Sequence, residues 1–207
     1  MRSTGGVVLC GGRSSRMGRP KAWLPVGKET MLQRVVRVVG EAVGPVVVVA
    51  AEGQDVPELP AGVRVVRDDV DGRGPLGGLM AGLMALHGQC DAAYLSACDV
   101  PLLRADFVRH IAALAVGSRL TIPLVAGRLH PLAAVYSLDV LPVVNAQLEA
   151  GDFRMTRIHE LVTTRYLTDA DFADVDPELE SLRNVNTLAE YEELLGERGG
   201  GGGGGAR

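Results

Sequence analysis

The stretch from Gly6 to Gly27, GVVLCGGRSSRMGRPKAWLPVG, decides how the rest of the chain is read. A β-branched apolar run breaks into Gly11 and Gly12, and Arg13, Arg16, Arg19 and Lys21 follow. An apolar run without alternation reads as a strand covered on both faces, which is the signature of a parallel sheet between helical layers. Residues lacking a Cβ directly after such a strand let backbone amides approach an anion closely. Ser14, Arg16 and Lys21, with Arg13 and Arg19, would add donors and positive charge to a phosphate cradle. A glycine-rich turn carrying solvated arginines is the plainer alternative. No GxxxxGK[ST] pattern can be drawn, because Gly18 is followed by Arg19, so the loop is not a Walker A loop.

Outward from this stretch, short β-branched runs alternate with helical patterns. Strands are expected at Gly6–Cys10, Pro45–Ala50, Val63–Val66, Ala92–Ala97 and Leu120–Val125. Between them, TMLQRVVRVVGEAV, PLGGLMAGLMALH and RADFVRHIAALAVG place apolar residues at helical spacing. This order predicts βαβ units and an α/β fold with a mainly parallel sheet. Beyond Gly127 the pattern predicts a strand in HPLAAVY, a helix over 138–150, a short helix from Phe153, a strand in TTRYL and a terminal helix over 187–195. Residues 1–196 are expected to form a single domain, and the glycine-rich segment 197–207 a disordered tail with nothing to bury.

Composition narrows the function classes. The 207 residues are 47% apolar and 22% charged with a net charge of −4, which argues against disorder and against a general nucleic-acid-binding surface. Cys10, Cys90 and Cys98 form no CxxC pair and leave an odd count, which disfavours a zinc knuckle or a secreted disulfide framework. No apolar stretch approaches the length of a membrane span or of a signal-peptide core, so a cytoplasmic location is expected.

In open α/β sheets, ligands sit at the carboxyl ends of the strands. The second loop of interest is therefore SACDVPLL, Ser96–Leu103, where Asp99 follows a strand. A carboxylate there is placed to hold Mg²⁺ on phosphate oxygens, although an N-cap or turn aspartate before Pro101 is the plainer reading. Asp68 and Asp69 close the third strand and either accept bonds from a ribose or base, or are solvated turn acids. DGRGPLGG holds a literal GxGxxG at Gly72, Gly74 and Gly77, but Pro75 interrupts it. It reads better as a loop opening a helix near Pro75. Gly77, Gly78 and Gly82 then serve either close helix packing or a nucleobase. The four histidines lack metal-ligand spacing, with His130 alone set aside as a functional candidate, and no GxSxG elbow is present.

Together these residues make the chain resemble the molybdenum cofactor guanylyltransferases, within the wider nucleotidyltransferases that open with LxGGxSxRMGxxK. The resemblance runs through LCGGRSSRMGRPK, GPLGGLMAGL, CDVPLL, HPLAAVY, GDFRM and NVNT in order along nearly the whole chain. It implies a Rossmann-like, three-layer, GT-A-like domain that joins GTP to molybdopterin and releases pyrophosphate, with Mg²⁺ as cofactor. It also implies partners in a molybdenum-insertion protein and molybdoenzyme chaperones, and no nucleic acid or membrane.

By position, the resemblance puts Leu9, Cys10 and Gly11 on the nucleotide, Lys21 on its phosphates and Asp68 on the nucleoside, and the loop reading adds Gly12 to nucleotide binding and Arg16 to charge stabilisation. Asp99 would meet both nucleotide and metal, and Arg154, Asn184 and Asn186 the molybdopterin side. Two departures stand out: Cys10 where alanine is frequent, and Val49 or Ala50 where an asparagine often meets the nucleotide. A CTP-dependent relative, or a nucleotide carrier without catalysis, are the competing readings.

Overall fold

A computed structural model describes residues 3–11, 20–68 and 72–199. The strands are β1 (Thr4–Leu9), β2 (Pro25–Val26), β3 (Glu29–Thr30), β4 (Val46–Ala51), β5 (Arg64–Asp68), β6 (Ala92–Ala97), β7 (Leu120–Val125), β8 (Arg128–Leu129), β9 (Ala133–Ser137) and β10 (Thr164–Leu167). The helices are α1 (Met31–Ala42), α2 (Gly74–Leu86), α3 (Ala105–Leu114), α4 (Leu141–Glu149), α5 (Ile158–Leu161) and α6 (Leu188–Gly199). The sheet order is β10-β7-β9-β6-β1-β4-β5, with β8 paired to β7, and β2 and β3 form a separate hairpin. Pairings β6–β1, β1–β4, β4–β5 and β10–β7 are parallel, while β9 runs antiparallel between β6 and β7. The fold is thus the expected α/β architecture with a mainly parallel sheet.

Side-chain alternation along the central strands splits the core into two layers. Val8, Cys10, Val46, Val48 and Tyr94 face Leu32, Val35 and Val39 of α1 and Phe107 and Ile111 of α3. Val7, Leu9, Val47, Val49 and Leu95 face Leu76, Leu79 and Leu83 of α2 and Val144 and Leu148 of α4. Because both faces are covered, the central strands are apolar throughout, which is why the sequence reads as unbroken runs. Helix α1 starts at a reciprocal cap: Thr30 Oγ1 accepts from Gln33 N at 3.3 Å, and Gln33 Oε1 accepts from Thr30 N at 2.8 Å. A third, smaller cluster joins Leu24, Val26 and Met31 to Val185 and Tyr191. The Tyr191 hydroxyl donates to the Pro25 carbonyl, tying α6 to the β2–β3 hairpin.

The ends of the elements differ from expectation by small amounts. The strand at Val63–Val66 begins one residue later and continues to Asp68. Helix α6 runs beyond residue 196, where the tail was expected to begin, and residues 200–207 lie outside the described residues. Among the described residues, no helix is long and apolar enough to cross a membrane.

Close packing of α2 on the sheet requires glycine. A Cβ on Gly82 would sit 2.4 Å from Val7 Cγ1 and 3.2 Å from Val7 Cβ, and one on Gly78 would sit 2.9 Å from Leu9 Cδ2. Gly40 on α1 is exposed, and its Cβ would meet only Val46 Cγ2 at 3.8 Å. Gly→Ala favours a helix interior by about 1 kcal/mol, whereas overpacking a rigid core costs about 1–3 kcal/mol. Gly82→Ala is therefore expected to lower unfolding free energy by up to about 2 kcal/mol, and Gly40→Ala to raise it by up to about 1 kcal/mol. Urea denaturation midpoints check both, and equal signs for the two variants would contradict the packing account.

Candidate active site

The chain reverses its direction of travel across the sheet at β1: β4 and β5 lie to one side and β6 to the other. Such a switch point leaves a crevice at the carboxyl ends of the strands. A cavity of about 540 Å³ opens there. Parallel pairing sets Leu9 opposite Ala97, so Cys10 and Cys98 leave the sheet side by side. Backbone bonds continue the ladder past the strand ends, with Cys10 N donating to Val49 O at 2.8 Å and Cys98 N donating to Leu9 O at 2.9 Å. Both thiols are buried and free. The hydrogen bond with the Cys10 thiol, together with burial, pushes the Cys98 thiol well up. Cys98 therefore lines the cavity as a neutral thiol.

Asp99 follows directly and is the hub of the polar cluster. Its Oδ2 accepts from Lys21 Nζ at 2.7 Å and its Oδ1 from Asn184 Nδ2 at 2.8 Å. Lys21 Nζ also donates to Asn186 Oδ1 at 3.0 Å, and Val185 N to the Asp99 carbonyl at 2.8 Å. The Lys21 and Asp99 side chains are 18% and 14% exposed, so the pair is sheltered but reachable from the cavity. Residues from three distant parts of the chain thus meet on one carboxylate.

The C-terminal segment carrying Asn184 and Asn186 is fastened independently. Asp176 is fully buried and accepts from Glu180 N at 3.2 Å and Ser181 N at 2.8 Å. Ser181 Oγ accepts from Arg104 N at 3.1 Å, which ties the segment to the start of α3. Glu190 accepts from Asn186 N at 2.6 Å and Thr187 N at 3.1 Å, and Thr187 Oγ1 accepts from Glu190 N at 3.2 Å. The backbone bonds from Asn186 and Thr187 hold the Glu190 carboxyl below its ordinary range. This Thr-x-x-Glu arrangement is a capping box, visible in the sequence TLAE but absent from the sequence reading above.

The opposite wall combines Asp68, Gly72, Gly74, Pro75 and Gly78. Helix α2 begins here with proline in its first turn and no side-chain cap, so its amides border the cavity. A Cβ on Gly77 would lie 2.8 Å from Asp68 Oδ2. Gly77 therefore makes room for the Asp68 carboxylate against the helix start, while Gly78 and Gly82 serve packing on β1. Past β4, Gln54 Nε2 donates to Cys10 O at 3.0 Å, and Gln54 Oε1 accepts from Ala51 N at 3.2 Å. Arg67 secures the same turn by donating to Gln54 O at 2.5 Å and Ala51 O at 3.2 Å. The side chains of Val49, Ala50 and Ala51 present no polar group to the cavity, and the Gln54 amide is taken up by the Cys10 carbonyl and thiol and by Ala51 N.

Of the residues singled out from sequence, Leu9, Cys10, Gly11, Lys21, Asp68, Asp99, Asn184 and Asn186 all line this cavity. Gly12, Arg13, Ser14, Arg16, Arg19 and Asp69 lie outside the described residues. Arg154 is elsewhere: it does not line the cavity, and its exposed guanidinium pairs with Asp152 at 2.6 Å and 2.8 Å. That pairing pulls the Asp152 carboxyl down to about 2. His130 is not a lining residue either, and burial, with the charge of Arg128, lowers its pKa. Gln54, Asp176 and Glu190 are the organising residues that the sequence reading missed.

Beside the Asp99 carboxylate stand the Lys21 ammonium and the side-chain amides of Asn184 and Asn186, and no group of three or more His, Cys, Asp or Glu gathers among the described residues. Such a site suits a hard divalent cation that takes most of its ligands from phosphate and water.

Known proteins resemble this chain in both sequence and fold. The family model described as the MobA-like NTP transferase domain matches residues 6–165. A Mycobacterium marinum protein named probable molybdenum cofactor guanylyltransferase is 38% identical over 193 residues, 91% of each chain. The solved molybdopterin-guanine dinucleotide biosynthesis protein A of Archaeoglobus fulgidus superposes with a TM-score of 0.76 at 18% identity, covering 94% of this chain and 98% of its own. A Mycobacterium tuberculosis protein solved in complex with manganese superposes with a TM-score of 0.66 at 19% identity, covering 95% and 99%. The two structural likenesses, at such low identity, speak for the fold. The match runs from within β1 to within β10 and takes in every loop that feeds the cavity except the C-terminal strap, and on that match the chain belongs to the family of MobA-like NTP transferase domains.

Proposed function

We propose that this chain transfers GMP from GTP to the terminal phosphate of molybdopterin, releasing pyrophosphate. The observation that carries the reading is the cluster on Asp99. A lysine after the glycine loop, the CDVP aspartate and the two NVNT asparagines meet at the switch-point cavity in a chain 38% identical to a named guanylyltransferase.

In this reading an oxygen of the molybdopterin phosphate attacks the α-phosphorus of GTP. A new P–O bond forms as the bond to the bridging α–β oxygen breaks, and pyrophosphate leaves with that electron pair. A phosphate monoester is already anionic at neutral pH, so the attacking oxygen needs no general base. Catalysis is then positioning and charge stabilisation. The amides at Gly11 and the uncapped start of α2 approach the nucleotide, Asp68 binds the nucleoside, and Lys21 meets the phosphates. Gly12 and Arg16 belong to the same phosphate cradle by their place in the sequence between Cys10 and Lys21. Asp99, with Asn186 beside it, would hold Mg²⁺, which when bound offsets negative charge on the triphosphate. Asn184 and Asn186 would face the acceptor side, and Arg154, held by Asp152, would lie on that molybdopterin side as well.

Loss of one electrostatic contact of this kind costs on the order of 10²-fold or more in rate. Lys21→Ala and Asp99→Ala are each expected to lose at least about 10²-fold of pyrophosphate release while keeping a cooperative thermal transition. Turnover near that of the unsubstituted protein in either variant would remove Lys21 or Asp99 from the machinery.

One observation keeps a CTP-dependent reading in view: the apolar wall of Val49, Ala50 and Ala51 offers no side-chain donor or acceptor to a base. Base choice must then come from backbone groups and Asp68. Pyrophosphate release measured with each of the four triphosphates in the presence of molybdopterin and Mg²⁺ is expected to be fastest with GTP. Faster release with CTP would transfer the assignment to cytidylyl transfer.

A further inference from the structure

Both carboxylate oxygens of Asp99 accept hydrogen bonds from side chains of the chain itself. Lys21 Nζ lies 2.7 Å from Oδ2 and 3.0 Å from Asn186 Oδ1, so the ammonium sits between two oxygens of the type a hard cation takes. Asn184 Nδ2 holds Oδ1 at 2.8 Å. The pair is sheltered, with 18% and 14% of the two side chains exposed. Charge −1 on Asp99 and +1 on Lys21 sum to zero, so a free divalent cation meets no net attraction from the pair and is repelled by the ammonium.

We propose that Lys21 is a built-in placeholder for the divalent cation. In the nucleotide-free protein its ammonium fills the oxygens of Asp99 and Asn186 and keeps the metal out. A triphosphate draws the ammonium away and vacates those oxygens. This inference rests on the nucleotidyl-transfer reading, and it adds that metal and nucleotide enter together. Lysine suits the exchange because its charge is a compact point on a flexible four-carbon stem with three rotatable donors. The strap of Asp176, Ser181 and Glu190 keeps Asn184 and Asn186 in place, so the exchange requires only the lysine side chain to move. Occupation by lysine also prevents metal held on Asp99 in advance from presenting a preformed cation to the wrong anion.

The test is a Mn²⁺ titration of the full chain, without nucleotide or acceptor, with free Mn²⁺ read by its electron paramagnetic resonance signal. Lys21→Met keeps the stem and removes the charge, and Lys21→Gln keeps a polar head. Both are expected to bind Mn²⁺ at least about fivefold more tightly than the unsubstituted protein, and adding Asp99→Asn to either is expected to abolish that gain. Affinity unchanged or weakened in both variants would overturn the placeholder, as would a gain that survives Asp99→Asn. The guanylyl-transfer reading is judged separately, by pyrophosphate release, since the titration involves no turnover.

Discussion

The parallel pairing of β1 with β6 is the constraint on which the site depends. With Leu9 opposite Ala97, the two strands end at the same level, and the residues after each emerge as neighbours. One emerging loop carries the glycines that lead to Lys21; the other carries Asp99. Slipping this register would separate the loops and break the 2.7 Å contact between lysine and carboxylate. The register is in turn held by burial: Val7 and Leu9 must face α2, and Val8 and Cys10 must face α1. Moving the strand by one residue exchanges the two faces and puts every side chain into the wrong layer. Glycines at 78 and 82 make that layering tight, so stability and site geometry share one origin.

Much of this was legible from residue types alone. The three strands β1, β4 and β6 stand out because they are apolar nearly throughout, and the helices α1 and α3 show their buried stripe directly. The order of elements along β1, β4 and β6 then brings Gly11 and Asp99 to the same edge without knowledge of any contact. What residue types cannot carry is direction and distance. The antiparallel β9 between β6 and β7 has the same composition as a parallel neighbour. The pairs β2–β3 and β7–β8 involve strands of two residues, too short for a period to develop.

Long-range polar contacts were the other gap. Gln54 reaches Cys10 across 44 positions of sequence, and Asn184 reaches Asp99 across 85. Neither glutamine in a loop nor a buried Asp176 announces its partner. The resemblance assigns the NVNT asparagines to the acceptor side; the contacts they make are with the Lys21–Asp99 ion pair. Gly77 illustrates a different limit. As a glycine in a glycine-rich run it reads as packing, yet the space it leaves is occupied by the Asp68 carboxylate.

The site is therefore a lysine–carboxylate pair at a strand switch point, clamped from one side by a C-terminal strap and open on the other to a cavity of about 540 Å³. A crystal structure of the full chain with Mn²⁺ and a GTP analogue not cleavable between the α and β phosphates tests this account most directly. The predicted result is an anomalous manganese peak at Asp99, the triphosphate between Gly11 and Lys21, and the Lys21 ammonium turned from the carboxylate to phosphate oxygen. Nucleotide and metal bound outside this cavity, with the Lys21–Asp99 contact intact, would contradict it.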